Sequence, residues 1–348
     1  MKIAVILPSL ANRGPILIAK YLVDNWIKEG KIVEVYYFDD LTELNFGSSI
    51  KKIKFNESID FGRYDIIHSH MLRPDLYLLF HKFRIPSETK IVTTIHQETY
   101  KALKLQYNFL VAFLAEKFWS HSLRIFDKVI VLNKTIAEQI KNKNLHIIGN
   151  GIPKPRIMSI AHADLLKVKL FKDRFDTIIG SSTLLIKRKG IDQVIKVLPE
   201  NPNVGYIILG DGEEKEDLKE LAAKLGVTNQ CLFMGQKING YRFFQFFDIY
   251  MLPSHSEGFP ICGIEAAMFG LPIVCSNIKV LEEIFKPSEV SFFQLEDIDS
   301  LNQSLQNAID NKEQLKEAIN EKYYLELSDK VMVSKYNNLF KDLINVQK

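Results

Sequence analysis

Two glutamates stand eight positions apart in Glu257-Gly258-Phe259-Pro260-Ile261-Cys262-Gly263-Ile264-Glu265. The first falls in a Gly-Pro loop behind an apolar strand pattern. The second lies inside an apolar helical pattern, 261–269, that stops at Gly270 with Pro272 just beyond. A carboxylate on an otherwise apolar helix needs hydrogen-bond donors, because burying it unpaired is costly. Polyhydroxy compounds supply such donors. A strand–loop–helix passage also aims free backbone N–H groups at one spot, which suits a phosphate. Hydroxyls and phosphate together read as a sugar nucleotide. Lys187-Arg188-Lys189-Gly190 places cations behind another strand pattern, where they can neutralise a diphosphate leaving group. His68, His70 and His96 sit at the ends of two further strand patterns, where a lone histidine is more often structural than catalytic. The His-x-His spacing of the first two lacks a third metal-ligand cluster. Asp297 and Asp299 read as the acidic start of a helix, and Asp39-Asp40 is no better a chelator, so no essential metal is expected.

These residues need elements that bring them together. Near-continuous Ile/Val/Leu runs at 2–7, 32–38, 65–68, 91–95, 129–132 and 146–148 read as buried parallel strands with helices between them. Turn-formers concentrate in Gly149-Asn150-Gly151-Ile152-Pro153-Lys154-Pro155, a linker. The alternation restarts at 177–181, 205–209, 231–234, 249–252, 272–275 and 290–293. The fold class expected is α/β, with two Rossmann-like doubly wound parallel-sheet domains facing a cleft. The first spans 1–152 and the second 153–330, with a helix over 331–348 crossing back to the first. Ligands bind such sheets beyond the carboxyl ends of the strands, and every motif above follows a strand. Gly14, in Ala11-Asn12-Arg13-Gly14-Pro15 behind the first strand, allows close backbone approach to a ligand. Gly210-Asp211-Gly212 lacks the third glycine of a dinucleotide turn, which argues against a nicotinamide cofactor.

The Glu pair with its inserted Gly-Phe-Pro, the preceding Leu252-Pro253-Ser254 and the closing Gly270-Leu271-Pro272 resembles the E-x7-E signature of the GT4-type retaining glycosyltransferases of GT-B fold. The resemblance extends from the opening strand to about Phe285. It implies that Glu257 holds the hexose of a nucleotide-sugar donor and Glu265 the ribose. Gly258, Phe259, Pro260 and Ile261 would then line the sugar and phosphates. It implies that Lys189 grips the diphosphate, that His96 faces the reacting sugars, and that Gly14, Gly210 and Gly235 lie near the donor. The catalytic set it implies is His96, Glu257 and Lys189. The family's further arginine is absent: Ser182-Thr183-Leu184 occupies its neighbourhood, and Arg188 and Lys187, neither in the matching position, are the candidates to compensate for it. The expected chemistry is metal-independent, retaining transfer of a hexose or N-acetylhexosamine, UDP being the nucleotide that the family suggests. No cofactor is expected.

Composition narrows the partners. Hydrophobic residues at 47% and charged residues at 25% describe a globular chain, and no apolar run is long enough to span a bilayer. Three cysteines fit neither a disulfide framework nor a zinc spacing, and the cytoplasm is the expected compartment. Residues 1–155 hold 22 Lys and Arg against 15 Asp and Glu, a charge of +7, and the remainder carries −4. A basic first half, with the aromatic segment 100–126, favours peripheral contact with an anionic membrane face and a lipid-linked saccharide acceptor, as in lipopolysaccharide, O-antigen or capsule synthesis. The charge lacks a nucleic-acid-binding motif. A sugar-nucleotide epimerase on the same fold, and a non-catalytic sugar-nucleotide-binding subunit, are the competing functions. A basic–acid pair suited to elimination is not evident for the first, and only the missing arginine favours the second.

Overall fold

The computed structural model describes residues 1–96, 117–140, 142–154 and 159–345. They form two compact units, Met1–Pro153 with Leu327–Lys348, and Lys154–Glu326. The crossings fall a few residues from the expected 152 and 330 because they are paired to each other: Ile152 N–H donates to Leu327 O at 3.1 Å, and Asp329 N–H to Ile152 O at 3.1 Å. Gly151 permits this contact, since a Cβ there would stand 2.2 Å from Ser328 O.

The first unit carries seven parallel strands: β1 (Lys2–Leu7), β2 (Ile32–Tyr37), β3 (Ser49–Lys52), β4 (Ile66–His70), β5 (Lys90–Ile95), β6 (Lys128–Val131) and β7 (Leu145–Ile147). Their order is β3-β2-β1-β4-β5-β6-β7. The chain runs outward from β1 to β3 and then returns to β4 on the other side of β1, so the connections that leave β1 and β4 run to opposite sides of the switch between them. The second sheet repeats the device with β8 (Thr177–Ser182), β9 (Val204–Leu209), β10 (Cys231–Gly235), β11 (Ile249–Leu252), β12 (Ile273–Ser276) and β13 (Ser291–Phe293), in the order β10-β9-β8-β11-β12-β13. Here the topological switch lies between β8 and β11.

Central strands such as β4, β9 and β11 are wholly buried, as helices on both faces require. Short β3 is exposed at all four residues. It was not expected from the sequence, because Ser-Ile-Lys-Lys shows no apolar run. The helix Asp329–Asn345 belongs to the first unit. It packs on the helix Gly14–Lys28, where Trp26 Nε1 donates to Asn337 Oδ1 at 3.0 Å and the Trp26 ring lies 5.4 Å from that of Phe340. Most of the aromatic segment 100–126 lies outside the described residues. Its described end is anchored by Trp119, whose Nε1 donates to Asp75 Oδ2 at 2.8 Å.

Candidate active site

In the second unit, the loops after β8 and β11 meet at the switch. A residue with a side chain could not stand at Gly190: its φ is +63°, and a Cβ would come within 2.2 Å of Pro253 O. Gln193 Nε2 donates to Pro253 O at 3.0 Å, and His255 N–H donates to Arg188 O at 2.9 Å, tying the loops together. Across this junction Lys189 Nζ donates to Glu257 Oε1 at 2.6 Å. Ser254 Oγ donates to the same oxygen at 2.7 Å. Arg188 Nη1 donates to Ser256 O at 2.6 Å and stands 3.8 Å from Glu257 Oε2. Glu257 is therefore a buried, paired carboxylate, 7% exposed. Sequence reading missed Ser254 as a partner, although it sits three residues before Glu257. Arg188, a candidate to compensate for the absent family arginine although its position does not match, is part of the cluster.

The helix Ile261–Met268 begins at Pro260 with no side-chain cap, leaving its first N–H groups without that partner. Gly270, at φ +65°, follows its end. Glu265 lies half-buried on this helix, and its carboxylate has no hydrogen-bond partner among the described residues. Burial lifts its carboxyl to about 7. The donors expected for it from the sequence are thus not supplied by neighbouring described side chains. Burial raises the Cys262 thiol, Lys189 lowers it, and Glu257 and Glu265 both raise it, so the two carboxylates and the ammonium act on one atom. Gly258, Phe259 and Pro260 lie in the loop between Glu257 and this helix.

Gly210 and Gly235 end the next two strands outward, with Gly210 N–H donating to Gly235 O at 2.9 Å. Gly210 has a packing requirement of its own: φ is +141°, and a Cβ would stand 1.8 Å from Thr183 O. That contact fixes the loop leading from β8 to Lys189.

In the first unit, Gly14 opens the helix after β1, and His96 follows β5. His68 and His70 lie two apart on β4 and share a face with Thr94 of β5. His70 Nδ1 lies 2.9 Å from His96 Nε2. His68 Nε2 lies 2.8 Å from Thr94 Oγ1, itself 2.9 Å from Tyr336 OH on the returning helix. On the opposite face, Ser69 and Thr93 donate to Asp75 at 2.6 and 2.7 Å. Burial lowers His68 and His96 to about 3 and His70 well below its usual value, so all three imidazoles are neutral. Packed between Trp26, Tyr336 and Phe340, His68 is a core residue. Asp297 caps its helix, accepting from Ser300 N–H at 2.9 Å. Among the described residues, no three His, Cys, Asp or Glu are grouped to hold a metal.

Two family descriptions match the chain: glycosyltransferase family 4 over residues 24–155 and glycosyl transferases group 1 over residues 162–325. The O-antigen biosynthesis glycosyltransferase WclY of Escherichia coli is 26% identical over 352 residues, covering 99% of each chain. An Escherichia coli UDP-Gal:alpha-D-GlcNAc-diphosphoundecaprenol alpha-1,3-galactosyltransferase is 26% identical over 266 residues, 72% of this chain and 67% of its own. Among solved structures, Anabaena Alr3699/HepE in complex with UDP superposes with a TM-score of 0.80 at 15% identity, covering 98% of this chain and 100% of that one. This last likeness is one of fold.

Proposed function

Because this chain belongs to the GT4-type glycosyltransferases, we propose that it moves a hexose or N-acetylhexosamine from a UDP-sugar to a lipid-linked saccharide in bacterial surface-polysaccharide synthesis, with retention at the anomeric carbon and without a metal. The observation that carries this is the Lys189–Glu257 pair at the switch of the second sheet, with unpartnered Glu265 one helix turn beyond the loop. Sugar hydroxyls donate to Glu257, and ribose hydroxyls to Glu265. The diphosphate takes the Lys189 ammonium, with Arg188 beside it, and the N–H groups at the start of the helix Ile261–Met268. Those fixed positive groups stabilise the departing UDP, which is the work a metal does elsewhere. The bond from the anomeric carbon to the phosphate oxygen breaks. The acceptor oxygen bonds to that carbon on the same face, and its proton passes to a phosphate oxygen of UDP. His96 contributes a polar contact to the reacting sugars.

The relatives' names support the acceptor class: one acts in O-antigen biosynthesis and another on a diphosphoundecaprenol-linked sugar. A peripheral place on the inner face of the cytoplasmic membrane follows from such an acceptor. Among the described residues no helix is long and apolar enough to cross a membrane.

The test is a melting-temperature screen of UDP-glucose, UDP-galactose and their N-acetyl-hexosamine counterparts, followed by transfer of labelled sugar from the best donor to polyprenyl-diphosphate saccharides. A true donor raises the melting temperature by several degrees when about 100-fold above its Kd. Glu257→Ala is expected to keep the fold and lose at least about a thousand-fold in kcat/KM. No stabilising UDP-sugar, or full transfer by Glu257→Ala, would overturn the assignment.

A further inference from the structure

Three neutral histidines run in a row from the middle of β4 to the carboxyl ends of β4 and β5, and their contacts leave an unequal set of nitrogens. Among the described residues, the buried side-chain polar atoms without a partner are Ser48 Oγ, His68 Nδ1 and His70 Nε2. A neutral imidazole has one N–H and one lone pair. A buried N–H without an acceptor is rarer than a buried acceptor without a donor, so each ring keeps its hydrogen on the partnered nitrogen. For His68 that is Nε2, which donates to Thr94 Oγ1. For His70 it is Nδ1, which faces His96 Nε2 at 2.9 Å. The reverse arrangement would put the His70 hydrogen on Nε2, buried with nothing to receive it. His70 therefore donates, His96 Nε2 accepts, and the His96 hydrogen stands on Nδ1.

We propose that His70 is a positioning residue: its hydrogen bond locks His96 in the Nδ1–H form, so that His96 meets the substrate as a hydrogen-bond donor and not as a proton acceptor. Position agrees with this division of labour. His68 and His70 are fully enclosed, whereas His96, at the end of the series, is 9% exposed. The Thr94–Tyr336 contact holds the other end of the row against the returning helix. A ring fixed at both its plane and its proton can direct one N–H at a sugar hydroxyl or phosphate oxygen without reorganising. This role in the reaction rests on the assignment of His96 to the transferase site. The proton arrangement does not.

Long-range proton–nitrogen correlation spectra of enzyme labelled in its histidines test the lock directly, with His96 assigned from a His96→Ala sample. The expected spectrum shows His96 protonated at Nδ1 and untitrated between about pH 5.5 and 8.5. In His70→Leu, whose fold is checked by circular dichroism and melting, His96 loses its single tautomer. There kcat falls about ten-fold or more while the donor KM stays. In His70→Asn, whose amide keeps a donor near the lost Nδ1, the tautomer and most of kcat return. If His70→Leu fails to fold, the wild-type spectrum and His70→Asn decide. An Nε2–H His96 in the wild type, or a His70→Leu enzyme with unchanged tautomer and kcat, would overturn the proposal. An Nδ1–H His96 combined with full transfer by His96→Ala would instead remove His96 from the site, and the positioning role of His70 with it.

Discussion

Glu265 sits half-buried on an apolar helix, and burial lifts its carboxyl from the usual 4.5 to about 7. Between those values the folded chain keeps a proton that the unfolded chain has released, so stability falls as pH rises from 4.5 through 7. Asp75, raised by burial to about 7 against three donors, has the same sign. Glu265→Gln preserves shape and removes the charge. It should gain about 1–3 kcal/mol at pH 8 and nothing at pH 4.5, read by calorimetry at both values. An equal gain at both would assign the effect to packing. The same substitution should weaken donor binding, a cost in function for stability gained. Both glutamates and Lys189 were legible as motif residues because their loops carry distinctive Gly and Pro neighbours. What was not legible is that Lys189 bonds Glu257 across 68 positions, or that His70 bonds His96. Those choices depend on which strands become neighbours, and no local pattern records that.

The elements translate strand adjacency into site geometry through close backbone contacts. Gly210 is the sharpest case, since its φ of +141° and the Thr183 carbonyl oxygen both exclude a side chain. Gly210→Ala should destabilise the second unit by about 2–4 kcal/mol and slacken the loop that carries Lys189. Gly226 also has a positive φ, +72°, but open space around its missing Cβ. Gly226→Ala should cost only about 1 kcal/mol. Comparing urea midpoints of the two variants separates the steric contribution from the conformational one. Equal midpoints would mean that the Thr183 contact yields without strain. The buried strands were readable because a parallel strand covered on both faces must be apolar throughout, as in β9 and β11. Edge strand β3 escaped for the converse reason, since an exposed strand held by one neighbour needs no apolar residue.

At the scale of the whole chain, charge is segregated, with +7 over residues 1–155. The first unit also displays aromatic side chains that no core explains: Phe83 is 92% exposed and Phe80 62% exposed. Lys82 and Arg84 flank Phe83, with the Lys82 ammonium 4.7 Å from the centre of its ring. The Phe80 ring lies tilted against that of Phe55, 5.6 Å between centres, and Phe55 follows Lys51, Lys52 and Lys54 in the chain. Apolar rings rimmed by cations suit the headgroup layer of an anionic bilayer, where each nearby cation contributes about 1 kcal/mol and the rings enter the acyl boundary. The enzyme should therefore sediment with phosphatidylglycerol vesicles and not with phosphatidylcholine vesicles, and binding should weaken as salt rises from 0.05 to about 0.3 M. Phe80→Ser combined with Phe83→Ser should lower vesicle affinity about ten-fold or more while leaving transfer to a short water-soluble acceptor intact, because neither residue is among those proposed to hold the donor. Equal partitioning onto neutral and anionic vesicles would discard the electrostatic part of this contact, and undiminished binding by the double variant would move the contact to another surface.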